Sequence, residues 1–307
     1  MRCATIKTYA GDIAVGETAA VLTKNGVVPV KSINETQKTY WSTDLFSMIC
    51  NGEIPRINEW YLSGGREELE KAAEITVPFD RVEYGPLYRN PGKIFCIGLN
   101  YQAEAATIND TAATDLPGSF YKPPTSIIGT GEKIIIPFLP KEVDGAGDYA
   151  KEVDGEAELV VVIGKEGKNI EKENWLDYVA GFTTSIESTV IDVFHKGLRK
   201  LCISKSYDSH FAFGPVLITP DEIDDVMKLK VRTIHNGRLE AEDYVGNMMF
   251  TPDYLVSFHS EIMKWMPGDV ISTGTPKGAI VSDGDTVTTE IDGFVPITCP
   301  VAKEKRA

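Results

Sequence analysis

The chain has 307 residues, of which 42% are hydrophobic and 25% charged, as is typical of a soluble globular protein with one large domain or two smaller ones. Its net charge of -14 argues against a nucleic-acid-binding protein, because such a protein needs a basic face. No apolar run approaches the roughly 20 residues that span a bilayer, and no apolar signal core follows Met1. We therefore expect a cytoplasmic protein without a membrane partner.

Residues 1–90 are predicted to form a small α+β domain that precedes the main one. Strand-like runs at 18–22 and 26–30 flank Asn25-Gly26, a dipeptide that favours a hairpin because both residues tolerate positive φ. Helices are predicted over 40–50, 57–62 and 66–73. Nothing in this part of the chain suggests chemistry. A loop rich in glycine and proline joins it to the rest of the chain near residue 90.

Residues 91–307 are predicted to form a mainly β domain, so that the whole chain is an α+β protein. Its strand-like runs are short, turn residues separate them at regular intervals, and long helices are few. The predicted strands lie at 93–97, 134–136, 156–163, 182–186, 216–218, 231–235, 270–271, 284–287 and 293–297. Helices are predicted over 171–179 and 254–263.

Two glutamates begin the most apolar of these strands. Side chains on a strand alternate between faces, so Glu156 and Glu158 point the same way while Ala157 and Leu159 point the other way. Two carboxylates on one face of an apolar strand are costly unless a positive charge neutralises them. A hard divalent cation such as Mg²⁺ or Mn²⁺ would do so, because it prefers oxygen ligands. Alternatively, the two side chains reach solvent at the end of the strand.

A basic segment, 194–200, stands out in this acidic chain. It contains His195, Lys196, Arg199 and Lys200 and follows the predicted strand that ends at Glu187. A solvated loop is one interpretation of this segment, and a lid that binds an anion is the other.

Several motifs in one order resemble the fumarylacetoacetate hydrolase family, in its shorter form that acts on 2-oxo acids. The resemblance covers residues from about 91 to 300 and is specific because the motifs also keep their separations. They are Gly98-Leu99-Asn100-Tyr101, 120–123, Glu156-Ala157-Glu158-Leu159, Gly181-Phe182-Thr183, Lys205-Ser206-Tyr207-Asp208, Gly214-Pro215, Asn236-Gly237, Pro267-Gly268-Asp269 and Thr273-Gly274-Thr275-Pro276.

The resemblance implies a rolled mixed β-sheet domain, assembly as a homodimer and a divalent metal, commonly Mg²⁺, Mn²⁺ or Ca²⁺. It assigns the metal to Glu156, Glu158 and one later carboxylate. The later position corresponds to Glu187, where the family usually has aspartate. Glutamate can still coordinate a cation, although its extra methylene shifts either the ion or the backbone.

The resemblance also implies which residues contact the substrate. Lys205 takes the place of the family's lysine, whose ammonium group holds a carboxylate or stabilises an enolate oxygen. The Gly274 amide and the Thr275 hydroxyl take the places that bind the substrate carboxylate in relatives. Tyr101 and Lys122, which lie in two other matching motifs, are further candidates for substrate binding.

The chain departs from the family at four positions. Hydrolytic relatives have a histidine that takes a proton from water and a glutamate that orients it, whereas this chain has Glu104 and Thr107 at those positions. An arginine and a glutamine that follow the third metal ligand in relatives are replaced by Ile191 and Phe194. The apolar pair suggests a less polar or bulkier substrate end than that of a small dicarboxylate.

Three interpretations of function follow from the resemblance. In the first, the metal holds a 1,3-dicarbonyl or 2-oxo acid as its enolate, Glu104 activates water as the general base, and a C–C bond is hydrolysed. In the second, the protein is a 2-oxo acid decarboxylase or a keto–enol tautomerase (an isomerase), and Lys205 donates to the enolate oxygen. In the third, the site is degenerate and binds a ligand without catalysis.

One histidine is a candidate replacement for the missing base. His210 could enter the pocket in this role, or it could be a hydrogen-bonded imidazole with a structural role.

The retained carboxylates favour an enzyme over a binding protein, because uncompensated acids in a pocket would be destabilising.

Overall fold

Runs rich in β-branched residues form the sheets of the structure, a computed structural model that describes residues 1–107, 115–145 and 147–306. The strands in chain order are β1 (Arg2–Ala10), β2 (Ile13–Thr23), β3 (Gly26–Pro29), β4 (Ile94–Gly98), β5 (Gly118–Lys122), β6 (Ile127–Ile128), β7 (Ile134–Ile136), β8 (Phe138–Leu139), β9 (Asp148–Tyr149), β10 (Val153–Ile163), β11 (Val179–Val190), β12 (Phe211–Ile218), β13 (Lys230–His235), β14 (Arg238–Tyr244), β15 (Val270–Ser272), β16 (Ala279–Val281), β17 (Thr286–Ile291) and β18 (Ile297–Lys303).

The helices are short. They are α1 (Val30–Gln37), α2 (Leu45–Cys50), α3 (Glu53–Trp60), α4 (Arg66–Lys71), α5 (Gln102–Thr107), α6 (Lys141–Asp144), α7 (Ile191–Phe194), α8 (Leu201–Lys205) and α9 (Pro252–Ile262). The predicted helix over 171–179 is instead a 3-10 helix, Lys172–Tyr178. In the described ranges, no helix has the length and apolar character to cross a membrane.

Two sheets carry the fold. The larger one is mixed and has the strand order β3-β2-β1-β12-β11-β10-β15-β4-β5, with β6 paired to β12 and β16 paired to β10. The smaller one has the order β14-β13-β17-β18-β7. The prediction of a mainly β, α+β chain with mixed sheets is confirmed.

The larger sheet extends across the predicted domain boundary near residue 90. Strand β1 pairs antiparallel with β12, so that Ala4 lies opposite Val216. Strands β2 and β3 form the predicted hairpin at the edge of the same sheet. The division of the chain into domains at 1–90 and 91–307 stays a prediction.

Two local predictions differ from the structure at their ends. The helix expected over 40–50 begins at Leu45, because the Asp44 side chain accepts a hydrogen bond from the Ser47 amide at 2.8 Å and caps it there. Strand β11 does not end at Glu187 but continues to Val190, and all of its residues are buried. The full length of this strand is not apparent from the sequence, because it contains several serines and threonines. Each of these polar residues nevertheless lies in the interior.

Both faces of β10 are covered. Ala157, Leu159 and Val161 pack into one hydrophobic cluster, and Val160 and Val162 on the opposite face pack into another. The two glutamates share the second face. Glu156 and Glu158 are therefore buried, so the alternative in which they reach solvent is wrong.

Candidate active site

Two neighbouring central strands bring three carboxylates together. In the antiparallel pair of β10 and β11, Glu156 lies directly opposite Glu187, and Glu158 lies opposite Ser185. Each of the three glutamates offers an oxygen, and these oxygens lie within 4.8 Å of one another. The position of Glu187 in the sequence only suggests that it belongs with Glu156 and Glu158. The register of the two strands places it beside them.

Two lysines compensate for the negative charge of this group. The Lys122 ammonium donates to Glu187 and, at 3.0 Å, to the Ser188 carbonyl. The Lys205 ammonium contacts Glu187 and lies 3.2 and 3.3 Å from the two carboxylate oxygens of Glu156. Two positive groups therefore face three carboxyl groups, and one negative charge is in excess among these five side chains when all three carboxyl groups are ionised.

The donor set fits a hard divalent cation. One oxygen of Glu158 accepts a hydrogen bond from the Gly274 amide at 3.0 Å, and the other is buried without a hydrogen-bond partner among the described residues. A buried carboxylate oxygen without a partner is costly unless a cation meets it. Three carboxylates at this spacing provide the all-oxygen environment that Mg²⁺, Mn²⁺ and Ca²⁺ prefer.

Burial and the neighbouring charges set the ionisation of this group. Burial raises the pKa of Glu158 to about 7. Burial also acts to raise the pKa of Glu187, but the ammonium groups of Lys122 and Lys205 outweigh it and hold that pKa below its usual range. Burial opposes the charge of Lys205, whereas the carboxylates of Glu156 and Glu187 raise its pKa above the usual value. Lys205 is therefore positively charged at neutral pH.

A cavity of ≈ 170 Å³ opens beside these groups. Its charged lining consists of Glu104, Asp154, Glu156 and Lys205. Its apolar lining consists of Leu99, Phe120, Ile191, Phe194 and Leu201. The Lys205 ammonium lies over the Phe120 ring, 4.6 Å from its centre, and makes a cation–π contact with it. The cavity thus has a charged part at Glu156 and Lys205 and an apolar part formed by α7, α8, β5 and the turn at Leu99.

Glu104 approaches the cavity from α5, which follows the turn at the end of β4. Burial raises the pKa of Glu104 to about 8, against the opposing effect of the Lys205 charge. Such a carboxyl group exists in both protonation states near neutral pH, as a group that transfers protons requires. The side chain of Thr107, the other departure from the hydrolytic pattern, lies outside the described residues.

The structure brings five of the predicted site residues to the cavity and places others close by. Glu104, Glu156, Ile191, Phe194 and Lys205 line it directly. The remaining two glutamates, with Lys122 and Gly274, belong to the hydrogen-bonded and charged group beside it. Tyr101 and Thr275 are buried and do not line the cavity, and neither hydroxyl has a hydrogen-bond partner among the described residues.

His210 is not brought to the cavity. It is buried, its Nε2 lies 2.8 Å from the Ile135 carbonyl oxygen, and burial lowers its pKa to about 4. A structural imidazole fits these contacts better than a catalytic base. The basic side chains of Lys196, Arg199 and Lys200 are exposed and do not line the cavity, to which the surrounding segment contributes Phe194 and Leu201.

Asp154 and Thr189 are polar residues of the site that the sequence motifs do not indicate. Asp154 lines the cavity, and Thr189 both lines it and donates a hydrogen bond to Glu156 at 2.6 Å. Asp154 lies two positions before Glu156, and Thr189 lies two positions after Glu187. Residues two positions apart on a strand share a face, and this spacing from Glu156 and Glu187 is the signal by which Asp154 and Thr189 could have been predicted.

Comparison with known proteins identifies the family. A family model described as "Fumarylacetoacetate (FAA) hydrolase C-terminal" matches residues 93–302. "Oxaloacetate tautomerase fahd2, mitochondrial" of Xenopus laevis is 35% identical over 221 residues, covering 69% of this chain and 66% of that protein, a little under two thirds of its length. The chain belongs to the fumarylacetoacetate hydrolase (FAH) family. It is an enzyme of that family, as its relatives are.

Two other FAH-family proteins extend the similarity over nearly the whole chain. The "Homoprotocatechuate catabolism bifunctional isomerase/decarboxylase" of Escherichia coli is 31% identical, over 97% of this chain and 73% of that protein. A structure of fumarylacetoacetate hydrolase from Exiguobacterium antarcticum covers 99% of this chain and 100% of that chain, with a TM-score of 0.74. At 24% identity, this structure shows the fold alone, which is the FAH-like fold that the resemblance implied.

Proposed function

We propose that this FAH-family enzyme transfers a proton at the carbon next to the carbonyl of a 2-oxo acid and thereby interconverts keto and enol forms. The position of Glu104 carries the proposal, because its carboxyl group shares one small cavity with Glu156 and Lys205. The name of the Xenopus relative, an oxaloacetate tautomerase, supports a reaction of this kind.

We assign a divalent cation, Mg²⁺ or Mn²⁺ and less readily Ca²⁺, to Glu156, Glu158 and Glu187. When bound, such a cation supplies Lewis acidity that stabilises negative charge on the carboxylate and carbonyl oxygens of a 2-oxo acid. The three side chains are held in place by Thr189, Gly274, Lys122 and Lys205. Such supporting contacts orient ligands before the ion arrives.

The remaining chemistry belongs to two side chains of the cavity. With a pKa of about 8, Glu104 takes a proton from carbon when ionised and returns one when protonated. Lys205 keeps its ammonium group charged and donates a hydrogen bond to the oxygen on which negative charge develops. The apolar side chains around them exclude water, which strengthens both effects.

Hydrolysis of a C–C bond in a 1,3-dicarbonyl is the second candidate, with decarboxylation as a related outcome. Hydrolysis is favoured by the same carboxyl group, because Glu104 could take a proton from water instead of carbon. It fits less well than tautomerisation, because the histidine and glutamate that hold and activate water in hydrolytic relatives are replaced by Glu104 and Thr107. Assembly as a homodimer and a cytoplasmic location stay predictions.

A proton NMR assay in deuterated buffer tests the proposal. Oxaloacetate, an acylpyruvate and a 1,3-diketone are incubated with enzyme and Mg²⁺ or Mn²⁺, and again with a chelator. We expect metal-dependent exchange of the hydrogens next to the carbonyl in at least one of the two 2-oxo acids. Glu104→Gln should slow this exchange by about 100-fold or more, because an amide cannot accept the proton. Two carbonyl fragments would identify a hydrolase instead, and loss of CO₂ a decarboxylase.

The matched control for this variant is Glu173→Gln, which removes an exposed carboxylate that does not line the cavity. It should exchange hydrogens at the rate of the unaltered enzyme. Equal rates for Glu104→Gln and the unaltered enzyme would contradict the role of Glu104.

A further inference from the structure

The apolar part of the cavity indicates which substrate end it accepts. Phe120 comes from β5, Ile191 and Phe194 come from α7, and Leu201 begins α8. Leu99 completes this wall from the turn after β4. These five side chains come from four separate parts of the chain and meet on one cavity. The wall is therefore a feature of the folded site and not of one hydrophobic segment.

The cavity offers little to a second substrate carboxylate. Among the described residues that line it, Lys205 is the sole cation, and its ammonium group already contacts Glu156 and Glu187. The exposed cations of the neighbouring segment, Lys196 and Arg199 among them, do not reach the lining. The chain from 105 to 117 contains no lysine, arginine or histidine. Among the described residues that line the cavity, a carboxylate at the far end of a substrate would thus lack a positively charged partner, which is costly in an apolar environment.

Asp154 adds an unfavourable charge for a dianion. Its carboxylate lines the cavity, and its Oδ1 is buried without a hydrogen-bond partner among the described residues. Gly278 leaves room for this carboxylate, since a Cβ there would lie 2.2 Å from the Asp154 Oδ1 atom. A second anion beside the Asp154 carboxylate would be repelled.

We propose that the cavity selects a monocarboxylic 2-oxo acid whose far end is an alkyl or aryl group, and that Ile191, Phe194, Leu201 and Asp154 reject the corresponding dicarboxylic acid. This inference rests on the proposed function, which places the 2-oxo-carboxylate end at the three glutamates. It adds that selection occurs at the other end, through burial of apolar surface and the absence of a paired charge.

Binding measurements separate this inference from the proposed reaction. The Mn²⁺-loaded protein is titrated calorimetrically with 2-oxohexanoate and with 2-oxoadipate, which have equal chain lengths and differ in a terminal methyl or carboxylate group. We expect 2-oxohexanoate to bind at least about tenfold more tightly. Equal affinities, tighter binding of 2-oxoadipate, or no binding of either acid would overturn the inference. Selective binding without any metal-dependent proton exchange would contradict the proposed function and leave the selectivity standing.

Two variants assign the selectivity to the wall. Ile191→Arg places a cation in the cavity and should shift the affinity ratio toward 2-oxoadipate by at least about tenfold. Ile203→Arg is its control, because Ile203 lies on α8 but is 46% exposed and does not line the cavity, so the ratio should not change. If Ile191→Arg fails to fold, Asp154→Asn should shift the ratio in the same direction by removing the repelling charge. An unchanged ratio in a folded variant would contradict the assignment.

Discussion

Lys122 is a fully buried cation whose ammonium group contacts the equally buried carboxylate of Glu187. Burying either charge alone would be costly. The buried pair is tolerated because each group neutralises the charge of the other. Lys205 adds a second positive charge on the opposite oxygen of Glu187. The sequence predicts Lys122 as a substrate-binding residue, whereas its contacts indicate that it holds Glu187 in the charged form. Binding of substrate by Lys122 stays a prediction.

Replacement of this lysine tests its contribution. Lys122→Met should lower the free energy of unfolding by about 3–5 kcal/mol, because it leaves Glu187 buried with one fewer positive partner. Urea denaturation in the presence of a chelator measures the change. Lys264→Met provides the comparison, since Lys264 pairs with Glu166 at 2.6 Å where both side chains are about half exposed. That change should cost less than about 1 kcal/mol, and a similar small cost for Lys122→Met would contradict the role given to it.

At the scale of elements, the site depends on how β10, β11 and β12 pack side by side. Strand β11 is buried along its whole length, so its neighbours approach closely on both sides. Gly181 allows the closest approach, because a Cβ at this position would lie 2.4 Å from the backbone oxygen of Ile218 in β12. A methyl group there would push the two strands apart and disturb the register that places Glu187 opposite Glu156.

We therefore expect Gly181→Ala to destabilise the protein by about 1–3 kcal/mol, as overpacking of a well-packed interior does. Thermal and urea unfolding measure this change. Gly16→Ala in β2 is the matched control, because its Cβ would meet nothing closer than the Thr8 hydroxyl at 3.4 Å. This control should change stability by less than about 0.5 kcal/mol. If the two variants prove equally stable, the close packing at Gly181 does not constrain the site.

At the scale of the whole molecule, the strands that carry the glutamates lie in the interior of the larger sheet. The path β3-β2-β1-β12-β11-β10 connects the N-terminal strands with the site through continuous pairing. Every residue of β12 is buried, and β1 covers one of its edges. The N-terminal ammonium group donates to the Thr219 hydroxyl at 2.6 Å, just after β12. The first strands thus contribute to the support of the site although they do not line it.

A fragment of residues 91–307 tests this contribution. Without β1, the unpaired edge of β12 and its apolar side chains would be exposed to water. We expect the fragment to aggregate or to unfold without the cooperative transition of the full chain, as followed by circular dichroism and light scattering. A monomeric fragment that unfolds cooperatively would instead support two independent domains divided near residue 90.

Much of the local structure was predictable because it depends on neighbours in the sequence. The turn residues Asn25-Gly26 predict the hairpin of β2 with β3, which is confirmed. The alternation of Glu156 and Glu158 with apolar residues predicts two carboxylates on one face, which the structure contains. These patterns need no information about distant parts of the chain.

Contacts between distant parts could not be read from the same patterns. The register that places Glu156 opposite Glu187 joins residues 31 positions apart, and only the resemblance to a family suggested it. Strand β11 is rich in serine and threonine, so its length and burial are not apparent from its sequence. Leu99 and Leu201 line the cavity because of the way in which separate elements meet, which a single sequence does not reveal.

The most direct test of this account is a titration of the purified, chelator-treated protein with Mn²⁺, followed by electron paramagnetic resonance of the free ion. We predict one site per chain. Glu187→Gln should weaken it by at least about 10- to 100-fold, because the amide is a weaker ligand than the carboxylate. Glu173→Gln, an exposed change, should leave the titration as it was. Equal Mn²⁺ affinity in Glu187→Gln and the unaltered protein, or no bound Mn²⁺ at all, would contradict the central claim that these three glutamates form a metal site.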